Sequence, residues 1–565
     1  MNLKSKLKNF DECRMNSSIY NTYYNSKIDE EIVYLESRNG SDFTGNIFRI
    51  AEEISTGKYG NFKIYVFANQ DVTHKIKRLE KNYGLNIHKV ITDETEAVKI
   101  LHKARYIFTD SGIRAKYVKR PGQIFVNTWH GTPLKLMGMD NPSEPPAIGI
   151  IQKAFLFSDY LIYPNDYMEN IMLRSYMMDK IYPGVILHEG YPRNSVFLDN
   201  AKRDEFKERL NLKDIEIFVY MPTFKGPVND RLDEKQNLDV NEFLKEIDLN
   251  LKDNQILFVK FHPYNSSKID FSLFSHVQPF PEGYENYDIL NMADVLITDY
   301  SSVFFDFANT RQKIIIFNYD EEEYLSYRGV YIPLEELSFP KVQNASDLLI
   351  QLNSKKDYED EDFVDEFCRY DSVDSAERIC RIVINDEKAS GCRTIENHRK
   401  NILIYVGGMR NNVSFNQLIQ LIGQEDLSDY NIFLAFKAWD RNVKENYLEI
   451  FKQIPEEVQF LPLSYNIFPT ISEKLDLNRF LEKNGEVPKS LKNLFKRSFK
   501  RQYGDFKFDK VIDFDASSIL ESLTFAFSGM DNAIVYNEDT DKNIINLFDS
   551  AYELNGELKI NEIIK

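Results

Sequence analysis

From Glu31 to about Asn385 the chain alternates short runs rich in β-branched and aromatic residues with turns and longer stretches of helical periodicity. That alternation predicts parallel α/β units, because a parallel strand needs a crossover, usually a helix, to return the chain to the same edge of the sheet. The strand-like runs lie at residues 32–35, 62–67, 106–109, 124–128, 160–163, 217–221, 256–261, 295–298 and 314–317. They fall into two groups, 31–187 and 188–385, each the size of one open doubly wound sheet, and two such halves would face a shared cleft. Residues 1–30 read as an N-terminal extension and 386–399, polar and without apolar periodicity, as a linker. Residues 400–565 start again with a strand at 402–406 that ends in Gly407-Gly408. Helical spacing at Phe415, Leu418, Ile419 and Ile422 and a second strand at 431–436 follow, so a further C-terminal α/β domain is expected. No period of about 20–50 residues is present, which argues against a solenoid.

Composition narrows the class. A length of 565 residues, 43% hydrophobic and 28% charged, with 33 Tyr and 41 Phe, has ample core material for several globular domains. There is no apolar run of about 18 residues, and the opening Met1 to Glu12 lacks the apolar segment of a signal peptide. Neither a spanning helix nor the usual export signal is expected. The balance of 70 basic against 88 acidic residues gives a net charge of −18, which disfavours a general nucleic-acid binder, so an anionic ligand has to be met by local groups. Cys13, Cys368, Cys380 and Cys392 are too sparse for a disulfide framework and lack metal-ligand spacing, as expected of a reduced, cytoplasmic compartment.

In open parallel sheets ligands sit beyond the carboxyl ends of the strands, and four of these ends are rich in chemistry. One strand runs into Asn127-Thr128-Trp129-His130-Gly131-Thr132-Pro133, a second into Met221-Pro222-Thr223-Phe224-Lys225-Gly226, a third into Lys260-Phe261-His262-Pro263, and a fourth into Thr298-Asp299-Tyr300-Ser301-Ser302. Ser301 and Ser302 fall where a helix begins, where free N–H groups, two hydroxyls and the helix dipole can meet an anion; Ser before an apolar helix is equally an ordinary cap. His130 and His262 end strands of opposite halves. One could accept a proton and the other offset phosphate charge, although a strand-end His is also a common structural residue. Arg193, in Gly190-Tyr191-Pro192-Arg193-Asn194 at the junction of the halves, suits phosphate but could equally pair with a carboxylate. Arg328, near the acidic run 320–323, is a weaker candidate of the same kind.

Taken in order, these motifs resemble the CDP-glycerol glycerophosphotransferase family of teichoic-acid and capsule synthesis. The resemblance covers about residues 30 to 385 and is carried by Glu36-Ser37-Arg38-Asn39-Gly40, Thr109-Asp110-Ser111, Trp129 to Lys135, Gly190 to Asn194, Met221 to Phe224, Phe261-His262-Pro263, Thr298 to Ser302 and Tyr327-Arg328-Gly329. It implies a GT-B-like pair of Rossmann-type domains that moves a polyol phosphate from CDP-glycerol or CDP-ribitol to a hydroxyl of a polyprenyl-linked glycan acceptor, releasing CMP. On that reading the second half holds the donor through Arg193, Pro222, Thr223, Lys225, His262, Asp299, Ser301, Ser302 and Arg328. Asn39, Trp129, Gly131, Thr132 and Lys135 lie on the acceptor side, and His130 and His262 are the catalytic pair. No compact carboxylate cluster demands a metal, and no cofactor is expected. The chain departs from the family pattern at Phe224-Lys225, where Trp-Arg is expected, and at Ser195, where Asp is expected. Lys is a point charge rather than a fork, so the polyol stays open.

The region 400–565 lies outside this resemblance and looks like the nucleotide-free half of a GT-B glycosyltransferase. Within it, residues 489–501 hold six basic residues and no acid. On a helix, Leu491, Leu494, Phe495 and Phe499 share a face, with Lys492, Lys496, Arg497 and Lys500 around it. That is the pattern of a helix lying on an anionic membrane surface, or of one packed on its own domain. The leading expectation is a peripheral enzyme at the inner face of the membrane. The alternatives are a nucleotide-sugar glycosyltransferase and a non-catalytic scaffold for acceptor lipid. Against the first stands the lack of an acidic pair eight residues apart within 280–340.

Overall fold

The computed structural model describes residues 16–142, 144–223, 240–261, 269–327, 329–408, 413–424, 426–438, 447–464, 466–483, 486–514, 516, 518–554 and 558–565. Three mostly parallel sheets organise them. The first contains β1 (Asp29–Glu36), β2 (Lys63–Phe67), β3 (Ile87–Ile91), β4 (Ala104–Thr109), β5 (Ile124–Asn127), β6 (Tyr160–Ile162) and β7 (Val185–Leu187). The second contains β8 (Glu216–Met221), β9 (Gln255–Val259), β10 (Val277–Pro279), β11 (Val295–Thr298), β12 (Lys313–Phe317) and β13 (Lys341–Val342). A short strand, β14 (Cys392–Thr394), precedes the third sheet, which contains β15 (Lys400–Tyr405), β16 (Tyr430–Ala435), β17 (Gln459–Phe460), β18 (Lys510–Asp513), β19 (Asn532–Tyr536) and β20 (Ser550–Glu553).

The spatial orders are β14-β7-β6-β5-β4-β1-β2-β3, β10-β9-β8-β11-β12-β13 and β17-β16-β15-β18-β19-β20. Numbered within each sheet, all three follow the doubly wound order 3-2-1-4-5-6, which opens a crevice beside the first and fourth strands. The strands are near-continuous apolar runs, such as the fully buried KIIIF of β12, as expected where helices cover both faces.

Two expectations need correction. The presumed linker carries β14, which pairs antiparallel with β7 at the edge of the first sheet. Its residues are all exposed, so no apolar signal marks it. It is held instead by Glu189, whose carboxylate accepts from Ser390 and Gly391, and by the backbone bond from His188 N–H to Gly391 O. The basic helix Lys489–Tyr503 cannot present an apolar face to a membrane: Phe495 is 0% and Phe499 3% exposed, and both are core. Arg497 pairs with Glu473 and Lys500 with Asp505, leaving Lys492 and Lys496 outward. Among the described residues no helix is long and apolar enough to cross a membrane.

The cores explain how the parts join. One apolar cluster runs without a break from Val33 and Phe48 in the first sheet's layer to Ile404 and Phe433 in the third's. The second half has further clusters on the two faces of its sheet, one of which takes in Leu134 of the first half. Polar groups also join it to the first half. Arg49 makes a buried ion pair with Asp288, whose second oxygen accepts from Tyr83 OH at 2.6 Å. Glu285 accepts from Thr44 and, at 2.9 Å, from the Gly45 N–H that starts the helix Gly45–Ser55.

Candidate active site

His130 follows β5 in a loop whose backbone is forced. Trp129 has φ 51° and Gly131 φ 152°. Asn127 Oδ1 accepts from the Trp129 N–H at 2.8 Å, while Phe155 and Tyr176 wedge the indole. Packing therefore offsets the cost of a bulky residue in left-handed backbone. The imidazole stacks on that indole, with centroids 4.5 Å apart and planes 19° apart.

His130 Nδ1 lies 2.7 Å from the carbonyl oxygen of Asp110. A carbonyl only accepts, so Nδ1 carries the proton and Nε2 is left as the acceptor. The Asp110 carboxylate accepts from Ser37 Oγ at 2.8 Å, Arg38 N–H at 2.7 Å and Ser111 Oγ at 2.8 Å, which locks the ends of β1 and β4 around the carbonyl. Burial, with the Arg38 and Arg193 cations, pushes the imidazole down to about 3, against the opposing pull of the Asp110 hydrogen bond. His130 is thus neutral at neutral pH, with an unprotonated Nε2.

Gly131 is where the halves touch. A Cβ there would lie 2.7 Å from Ser302 Oγ and 3.5 Å from Arg193 Nη2. Arg193 is 3% exposed; its Nη1 donates to the His130 carbonyl at 3.0 Å and its Nη2 to Asp306 at 2.7 Å. Its plane lies over Tyr191 and Tyr287, and its own N–H donates to Asn46. Arg193 is accordingly a buried strut holding the His130 loop against the second half, not an open phosphate ligand, which corrects its expected role.

On the donor side, Asp299 is also buried and accepts from the Thr223 N–H and hydroxyl. It fixes the loop of Pro222 and Thr223 at the switch point between β8 and β11. Ser302 precedes the one-turn helix Val303–Phe307 but caps nothing with its side chain, and Ser301 Oγ accepts from Val303 N–H at a long 3.4 Å. Neither hydroxyl is consumed by a strong cap.

The other acceptor-side candidates separate. Asn39 is exposed beside the cleft at φ 52°. Trp129 is the platform under His130. Thr132 is buried, and its hydroxyl accepts from Asn165 at 3.2 Å. Lys135 bridges to Val330, with its ammonium over Tyr324. Lys225, His262 and Arg328 lie outside the described residues.

Three strand-end groups had no role in the motif pattern. Asp110 sets the tautomer. Arg38 is exposed beside His130, and among the described residues it makes no ion pair; the left-handed backbone of Arg38 and Asn39 turns β1's end toward the cleft. Lys260, at the end of β9, has its ammonium pushed down by burial and by Lys75, with Asp42 and Glu285 opposing. All three stand at strand ends, the one signal that could have found them. As for metals, the single three-ligand group among the described residues is Asp166, Glu169 and His188; its Glu169 is paired with Arg393 and His188.

With this geometry in place, likeness to known proteins becomes informative. Residues 18–385 match the family model described as CDP-Glycerol:Poly(glycerophosphate) glycerophosphotransferase. The teichoic acid poly(glycerol phosphate) polymerase of Bacillus subtilis is 28% identical over 417 residues, 68% of this chain and 54% of that protein, so this chain spans about half of that relative's length. The teichoic acid glycerol-phosphate transferase of Staphylococcus aureus is 29% identical over 290 residues, 47% of this chain and 72% of that protein. The teichoic acid ribitol-phosphate polymerase TarK of the same species is 26% identical over 57% of this chain and 65% of its own. In fold the chain is similar to the wall teichoic acid polymerase TagF, with TM-score 0.56 and 23% identity over 67% of this chain and 95% of that one. A GT-B-like pair of Rossmann-type halves, joined at the Gly131 contact and matched over well over half of its length, places this chain in the CDP-glycerol:poly(glycerophosphate) glycerophosphotransferase family.

Proposed function

We propose that the chain transfers a polyol phosphate, from CDP-glycerol or CDP-ribitol, to a hydroxyl of a polyprenyl-linked teichoic-acid acceptor at the inner face of the membrane, releasing CMP. The observation that supports this best is the fixed tautomer of His130: an unprotonated Nε2 in the loop that meets Ser302 of the other half. In the step proposed, Nε2 takes the proton of the acceptor hydroxyl as its oxygen forms a bond to the phosphorus bearing the polyol. The bond from that phosphorus to the CMP oxygen breaks, and CMP leaves with the electron pair.

Such a transfer depends chiefly on positioning and on cations around the equatorial oxygens. Ser301, Ser302, Arg38 and Lys260 are the described groups best placed for the pyrophosphate; Lys225, His262 and Arg328 join them on the strength of the family motif alone. A pyrophosphate beside Arg38 offsets the cation that depresses His130 and moves the imidazole back toward a useful basicity. The reaction is proposed to need no metal, since these cations serve the phosphate. CMP release from CDP-glycerol and CDP-ribitol, beside UDP-sugars and with a lipid-linked acceptor analogue, tests the class. Acceptor-dependent CMP from one CDP-polyol, undiminished by EDTA, is expected; UDP release instead would overturn it.

A further inference from the structure

A second concentration of positive charge lies on the far side of the first half. His130 follows the carboxyl end of β5, whereas His102 ends the helix Glu94–Lys103 that leads into the amino end of β4. Beside His102, residues 17–24, the segment 116–118 and the C-terminal domain line a shallow recess. Of the ten described residues lining it none is acidic, and three are cations: Lys116, Arg497 and Arg501.

Arg501 is the informative member. It is 5% exposed, yet among the described residues it meets no carboxylate. Its polar contacts are the Lys116 carbonyl at 3.5 Å and Ser498 Oγ at 3.4 Å, both at the long limit, and its plane lies over Phe468. Lys116 also faces that ring. Lys153, buried nearby, donates to the carbonyls of Arg114, Ala115 and Tyr117 and so holds the segment bearing Lys116. Of the acids close by among the described residues, Glu473 is committed to Arg497 at 2.7 Å and to the Thr470 N–H, and Glu94, which accepts from Tyr20 OH at 3.2 Å, to Arg114. Burial and the neighbouring Arg497 pull the Arg501 guanidinium down to about 9. A buried cation without a counter-charge is costly, and in a protein this acidic such clustering is not a by-product of composition.

We propose that this recess binds a phosphate oxyanion, seated at its mouth between Lys116, Arg497 and Arg501. Tyr20 and Tyr24 make the wall beside it. Inside, the space narrows to room for about one water, so the anion stays at the mouth. The phosphate is either a free ion or one phosphodiester of a poly(polyol phosphate) strand. The site is independent of the cleft, and its failure would leave the proposed transfer untouched.

Isothermal titration of the full-length protein with inorganic pyrophosphate, and separately with a synthetic glycerol-phosphate oligomer, at low salt tests this. Saturable binding is expected, with a component that Lys116→Gln and Arg501→Gln each weaken at least tenfold and that Arg501→Lys retains. Tighter binding of the oligomer would identify the strand as the source, and equal binding the free ion. No binding by the wild type, or loss on Ser302→Ala with none on Lys116→Gln, would overturn the proposal. Lys116 is partly exposed, so its variant decides the matter even where Arg501→Gln fails to fold.

Discussion

At the scale of single residues, the chemistry turns on which nitrogen of His130 carries the proton. The Asp110 carbonyl settles that, and the Asp110 carboxylate settles where the carbonyl points. Because the native imidazole sits at about 3 and an unfolded one near 6.5, the unfolded chain takes up a proton that the native state refuses as pH falls through that window. The contribution of His130 to stability is therefore fully present above about pH 6.5 and is lost on acidification. Urea unfolding at pH 7.5 and pH 5 should show the wild type losing more stability between the two than His130→Gln; an equal loss would mean that the imidazole is not held neutral. The residue itself was legible in sequence from its strand-end loop. Its tautomer was not, since that depends on a carbonyl 20 positions away.

At the scale of elements, the decisive contact is Gly131 against Ser302, braced by Arg193 and Asp306. Asp306→Asn removes the counter-charge of a buried guanidinium. Breaking such a pair typically costs about 3–5 kcal/mol, and here it also frees the strut on the His130 carbonyl. Thermal unfolding should report the first effect and a fall in kcat the second; unchanged kcat in a folded variant would show that the strut does not position the loop. Gly131→Ala adds a Cβ into Ser302 Oγ at 2.7 Å and strains a φ of 152°. Activity should drop and be partly restored by adding Ser302→Gly, a coupling that a double-mutant cycle reads directly. Sequence alone left Arg193 open between phosphate and carboxylate, because Asp306 is 113 positions away and becomes a neighbour only when the second half folds. The long apolar strands were readable from their pattern. The three-residue β14 was not, since backbone bonds rather than burial hold it.

At the scale of the whole molecule, the halves are joined through two kinds of interface. The C-terminal domain shares one apolar core with the first half, and Gln152 and Gly149, on the helix Gly149–Phe157 that backs Trp129, lie against Phe460, Pro462 and Ser464. The second half meets the first through polar groups together with apolar contacts such as Leu134 in its core and Tyr167 on Phe305. Deleting residues 400–565 should therefore uncover the rear of the Trp129 platform and lower turnover even on a soluble acceptor analogue. Full turnover by a folded truncate would show the domain to be a detachable accessory. From sequence, the basic helix allowed either membrane contact or packing, and its burial among Leu491, Leu494 and Phe495 decides for packing.

The claim on which the rest depends is that His130 acts on the acceptor proton while other groups hold the donor. The measurement that tests it most directly is a comparison of wild type with His130→Ala for the Kd of CDP-glycerol and for single-turnover CMP release with acceptor. We expect CMP release to fall about 10²–10⁴-fold, the range for loss of a positioned general base, with Kd nearly unchanged. A variant that binds donor far more weakly yet releases CMP at close to the wild-type rate once saturated would contradict it.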